Sequence, residues 1–105
     1  MSVDDIRMNI EDIKREVIPA CTEFEVQKLF VFGSFARGAE SLTSDVDFLV
    51  EFNSPENSLA KRYFGLLHRL EDTLDSSIDL LTKRSLRNPY FKKRILEERV
   101  LIYAK

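Results

Sequence analysis

A small β-sheet packed by helices, in an α/β (α+β) domain, is the fold this sequence predicts. Three observations predict it. Two segments rich in β-branched and aromatic residues, 26–32 and 46–52, read as strands. Apolar residues at helical spacing lie before, between and after them. These patterns alternate along 105 residues with no repeat, linker or low-complexity segment, so residues 1–105 read as one domain.

The elements follow in order. Ile6, Ile10, Ile13 and Val17 predict an amphipathic helix over about residues 3–18, with Ser2 and Asp5 as a capping arrangement. Pro19 should end this helix or kink it before a last turn. In the strand 26–32, Leu29 and Val31 face one side and Phe30 and Phe32 the other, so both faces should be covered. Gly33-Ser34 ends the strand, 35–39 reads as one helical turn, and 40–44 reads as a polar loop. The second strand, 46–52, stops at Asn53-Ser54-Pro55. Ser58 can cap a helix carrying Leu59, Tyr63, Leu66, Leu67, Leu70 and Leu74. A short strand over 77–81 follows, then a helix from Tyr90 to about Glu98 behind Pro89. Residues 100–103 can add a short edge strand. The order α-β-(short α)-β-α-β-α, with three or four strands, suggests one sheet flanked by helices.

Composition excludes several classes. No apolar run approaches the roughly 20 residues that span a bilayer, and no signal peptide is visible, so a cytoplasmic location is expected with no membrane partner. One cysteine, Cys21, and one histidine, His68, rule out a disulfide within the chain and leave zinc almost without ligands. A metal held here would be held by oxygen, which favours Mg²⁺ or Mn²⁺. The net charge of -2 hides an asymmetry. Residues 1–57 carry 12 Asp/Glu against 5 Lys/Arg, and residues 58–105 carry 6 against 11. The two halves could together take a metal–polyphosphate complex, or they could be solvated faces that offset each other. An acidic domain is a poor partner for duplex nucleic acid.

The chemistry concentrates around Gly33-Ser34 and Asp45-Val46-Asp47. Asp45 and Asp47 sit at i and i+2, so on a strand they share a face with Cα atoms roughly 6.6 Å apart. Two such carboxylates can converge on one cation or bridge two. An Asp cap with an exposed neighbour would explain Asp45 but explains Asp47 poorly, because the strand around it is apolar. Asp79, within Ser77-Ile78-Asp79-Leu80-Leu81, also needs a partner, either a metal ion or a buried arginine. Glycine lets a phosphate approach the backbone. Free N–H groups at a helix start favour an anion, and Ser34 adds a hydroxyl. Arg37, three residues past Ser34, could contact a polyphosphate or pair with an acid such as Glu40. Lys92-Lys93-Arg94 reads as a solvated helix face, Lys61-Arg62 is ambiguous, and His68 reads as a surface residue. Glu51 shares the strand phase of Asp47 but lies at the strand end, outside the expected site.

Gly33-Ser34, Asp45-Val46-Asp47 and Asp79 together resemble the signature of the nucleotidyltransferase superfamily that includes DNA polymerase beta. The short chain is similar to the minimal nucleotidyltransferases (MNT), which typically act as antitoxins beside HEPN-family ribonuclease toxins. The resemblance implies a mixed sheet flanked by helices, two Mg²⁺ ions, and ATP as substrate. It implies that Asp45, Asp47 and Asp79 are metal-binding and catalytic, and that Gly33, Ser34 and Arg37 bind nucleotide. The implied reaction is transfer of AMP to a hydroxyl, with tyrosine on a HEPN toxin as the acceptor. Toxin neutralisation by binding alone and transfer to a small molecule such as an antibiotic are the alternatives. Association with itself or with a partner is plausible because a short last strand leaves an edge.

Overall fold

A computed structural model describes residues 9–33 and 46–105. The elements are α1 (Ile10–Glu23), β1 (Val26–Phe32), β2 (Val46–Phe52), α2 (Leu59–Leu74), β3 (Ile78–Thr82), α3 (Pro89–Glu98) and β4 (Val100–Ala104). One 3₁₀ turn, Lys83–Ser85, links β3 to the segment before α3.

The first helix departs from expectation at its start. It starts at Ile10 because Asn9 and Asp12 form the capping box, each side chain satisfying the other residue's backbone N–H. The Ser2–Asp5 arrangement lies outside the described residues, as do the expected turn at 35–39 and the loop at 40–44. Of the two courses expected at Pro19, the helix does not end there but runs on for one last turn to Glu23. Pro19 lies on the exposed side, where an unpaired carbonyl can meet water, and the buried Ala20 and Cys21 beyond it hold the last turn against the core.

The sheet has the order β3-β2-β1-β4. β1 pairs antiparallel with β2 and β4, whereas β2 pairs parallel with β3, so the sheet is mixed. A parallel pair needs a crossover, and α2 supplies it. β4 is an edge strand, as the sequence suggests, and β3 is the other edge.

Each face of the sheet has its own core. Leu29, Val31, Phe48 and Val50 pack with Ile13, Val17, Leu66 and Leu70 of α1 and α2. Phe30, Phe32 and Leu49 pack on the opposite face with Leu86 and with Ile95 of α3. The alternation of Leu29/Val31 with Phe30/Phe32 therefore separates the two cores as expected.

Ser58 does not cap α2 with its side chain. Its backbone is left-handed (φ 48°, ψ 42°) and only its carbonyl joins the helix, accepting from Arg62 N–H at 3.0 Å. Arg62 organises this region. It is 8% exposed, and its guanidinium donates to the carbonyls of Phe24, Glu25, Asn53, Ser54 and Asn57. Its five N–H donors are thus all used. The ring of Phe52 lies 5.0 Å from the guanidinium carbon. One buried cation ties the α1–β1 turn to the loop after β2.

Candidate active site

The sheet register assembles the site. Phe32 on β1 lies opposite Asp47 on β2, and Asp47 lies opposite Asp79 on β3. Neighbouring strands run about 4.8 Å apart, so both carboxylates project side by side from one face. It is the face of the second core, and α3 forms its far wall. A cleft of about 200 Å³ opens there, lined by Gly33, Asp47, Asp79, Phe91, Arg94 and Glu98 among others.

Asp47 is half-buried and Asp79 exposed. The alternative of a buried Asp79–arginine pair is therefore corrected: Asp79 faces water beside Asp47. Short apolar neighbours made it look enclosed, but the edge position of β3 leaves it open. Like charges directly opposite across a ladder are unfavourable, which leaves this pair suited to a cation.

Gly33 terminates β1 at φ +75°, a backbone that L side chains rarely adopt. A Cβ at this position would collide with Asp47 Oδ2 and come within 3.3 Å of its Cγ. The glycine is thus required twice, for its dihedral and for the room it leaves to a carboxylate.

Tyr63 of α2 approaches from the other face, and its hydroxyl donates to the carbonyl of Leu80, next to Asp79. Burial pushes this hydroxyl's pKa up, and the nearby charge of Asp79 raises it further. Tyr63 therefore stays protonated and holds β3 in place through that bond.

Ser34, Arg37 and Asp45 lie outside the described residues. Of the expected site residues, the structure brings together Gly33, Asp47 and Asp79. Among the described residues no group of three histidine, cysteine or acidic side chains converges as a metal cage. The donor chemistry of Asp47 and Asp79 is all oxygen, which fits Mg²⁺ or Mn²⁺ and not a soft metal.

Other expectations sort by position. Glu51, two steps beyond Leu49 on the same face, pairs with Lys83 at 3.4 Å and Arg99 at 3.9 Å, so it belongs to the scaffold. His68 is exposed, as expected. Lys92 and Lys93 are solvated, but Arg94 is not merely surface: it lines the cleft. Phe91, Arg94 and Glu98 were not singled out as site residues in the sequence. Their i, i+3, i+7 spacing around the buried Ile95 was the available signal, since it puts all three on the flank of the packed stripe. A larger groove of about 490 Å³ lies at the far end of β2 between Pro55, Leu59 and Lys83. It has no glycine turn and no paired carboxylates, so the chemistry points to the smaller cleft.

Comparison with known proteins agrees with this geometry. The family model described as "Nucleotidyltransferase domain" matches residues 14–102. A provisionally named protein adenylyltransferase of Methanocaldococcus jannaschii is 41% identical over 93 residues, covering 89% of this chain and 97% of that protein. Protein adenylyltransferase MntA of Thermococcus cleftensis is 37% identical over 79 residues, covering 75% and 77%. Among solved structures, a provisionally named minimal nucleotidyltransferase superposes with TM-score 0.73 at 28% identity, covering 90% of this chain and 96% of its own. A toxin–antitoxin complex with AMP-PNP shares the fold, with TM-score 0.69 at 21% identity over 88% of this chain and 73% of that one. So does a complex of a tri-AMPylated Shewanella oneidensis HEPN toxin with its MNT antitoxin, with TM-score 0.63 at 17% identity over 91% and 73%.

Proposed function

This chain belongs to the nucleotidyltransferase domain family, and from that premise we propose that it transfers AMP from ATP to a hydroxyl of a HEPN-family toxin, a tyrosine by preference, and so acts as its antitoxin. One observation carries the reading: Asp47 and Asp79 stand in direct register on parallel neighbours and line one cleft with Gly33. The relatives named as protein adenylyltransferases support a protein acceptor. The fold is also that of a chain found in complex with an AMPylated HEPN toxin, which suggests the partner class.

The residues divide the work. Asp47, with Asp45, would hold divalent metal. Asp79 would complete the acceptor-side metal and take the proton from the attacking hydroxyl. Bound Mg²⁺ supplies charge neutralisation on the polyphosphate and lowers the barrier to losing a proton nearby. Gly33 would let the triphosphate come close to the backbone, Ser34 would donate a hydroxyl hydrogen bond, and Arg37 would reach the phosphates. The acceptor oxygen bonds to the α-phosphorus as the bond from that phosphorus to the bridging oxygen breaks. Pyrophosphate leaves and carries the cleaved electron pair. Chemistry of this kind depends on positioning more than on covalent participation by the protein.

Incubating the chain with its HEPN partner, Mg²⁺ and labelled ATP tests the proposal. Label on a toxin tyrosine is expected. Tight complex formation with no label on the toxin would sink it. A second reading, neutralisation by binding alone, is favoured by the exposed apolar side chains of Phe64, Tyr90, Phe91 and Leu101. Full neutralisation by a D45N/D47N variant would establish that reading instead.

A further inference from the structure

We propose that Phe91 and Arg94 form a nucleoside platform on the α3 wall of the cleft, with Phe91 stacking the base and Arg94 contacting the phosphates. This inference rests on the nucleotidyl-transfer reading of the cleft and adds two residues to it.

Phe91 is 47% exposed, although it lines the cleft that holds Asp47 and Asp79. A phenylalanine left half in water beside two carboxylates forgoes much of its burial energy, and the second core is already filled by Ile95, Leu86 and Phe30 without it. No other ring packs against Phe91 among the described residues, so a face is available. The bases of nucleotides stack on such faces whatever their identity.

Arg94 sits three residues on, about one helical turn along α3, and lines the same cleft. Its side chain is 70% exposed, and among the described residues it pairs with Glu98 at 3.9 Å. That contact steadies the guanidinium without enclosing it. A planar guanidinium suits phosphate oxygens because it offers paired donors. Side chains at i and i+3 start about 5–6 Å apart at Cβ, so a ring and a guanidinium placed there can reach neighbouring parts of one ligand. Gly33 and Asp47 lie on the opposite wall, where the rest of the polyphosphate would run. The arrangement binds a nucleoside without reading its Watson–Crick edge, so it selects for a large aromatic base and not for one base.

Calorimetric titration of a non-hydrolysable ATP analogue and of inorganic tripolyphosphate, each with Mg²⁺, separates the two roles. F91A should bind the analogue on the order of tenfold or more weaker, with tripolyphosphate unchanged. F91W should restore analogue binding, because it keeps a stacking face. R94Q should weaken both probes. F91A with unaltered analogue affinity, or F91A weakening both probes alike, overturns the base platform. R94Q with no effect on either probe overturns the phosphate contact. Wild-type chain that binds neither probe overturns the transfer reading itself, an outcome distinct from failure of the platform alone.

Discussion

Gly33→Ala is the substitution whose cost can be worked most directly from the structure. The residue has φ +75°, where an alanine loses on the order of 1–2 kcal/mol. Its new Cβ would also press on Asp47 Oδ2, Cγ (3.3 Å) and Cβ (3.6 Å). The carboxylate would have to retreat by about 1 Å to regain ordinary contact. The backbone behind it cannot move, because β2 is hydrogen-bonded on both sides, to β1 and β3. The strain therefore falls on the side-chain torsions of Asp47. Two measurements follow. The melting temperature should fall by roughly 5–15 °C, given about 4–8 °C per kcal/mol for a domain near this size. Transfer should fall by about 100-fold, the usual consequence of a 1 Å misplacement at a reacting centre. A double variant, G33A/D47A, should recover the part of the stability loss that comes from the clash and leave only the dihedral part. G33A that melts and transfers like the parent would refute the reasoning, as would a double variant no more stable than G33A.

Asp79→Asn should leave the fold intact or stabilise it by a few tenths of a kcal/mol, since it removes a like charge opposite Asp47. The same change should abolish both transfer and the rise in melting temperature on adding Mg²⁺; a parallel loss of stability would mark Asp79 as scaffold. Arg62→Met should cost about 3–5 kcal/mol in urea unfolding, because five carbonyls lose their donor, and Arg62→Lys should rescue little with only three donors. Burial pushes the Cys21 thiol up from 9.0 to about 12. The folded state therefore holds this proton more tightly, so its contribution is whole below about pH 9 and is lost as pH rises towards 12. Stability measured across that window should fall less steeply in Cys21→Ala than in the parent, and equal slopes would refute the assignment.

The strands at 26–32 and 46–52 were legible to the residue because each is an apolar run closed by turn formers, and both faces are covered. Pro89 at the start of α3 was legible for a local reason too, since a helix start tolerates a missing N–H. The start of α1 was not, because Ser2-x-x-Asp5 and Asn9-x-x-Asp12 offer the same capping pattern about two helical turns apart. The course through Pro19 depended on burial of Ala20 and Cys21, a tertiary effect that outweighs the local penalty. Arg62 was illegible because its acceptors come from two loops, one of them more than 30 residues away. In the site, Asp47 and Asp79 were legible from residue type and strand phase, but their mutual register was not. That register is set by the parallel pairing of β2 with β3, which no local pattern encodes.

The charge asymmetry between the two halves of the chain resolves along the same lines. Part of it is consumed by the scaffold: Glu23 of the acidic half pairs with Arg69, and Glu51 pairs with Lys83 and Arg99. Arg99 also lies over the Phe30 ring at 4.0 Å, so even its exposed-looking charge is engaged in packing. Those pairs lie away from the cleft. At the cleft the two signs line one space, with Asp47 and Asp79 on the sheet wall and Arg94 on the helix wall, where it pairs with Glu98 of its own helix. Carboxylates and a guanidinium lining one cleft suit a metal-bound polyphosphate, because it presents positive charge to the carboxylates and negative charge to the guanidinium.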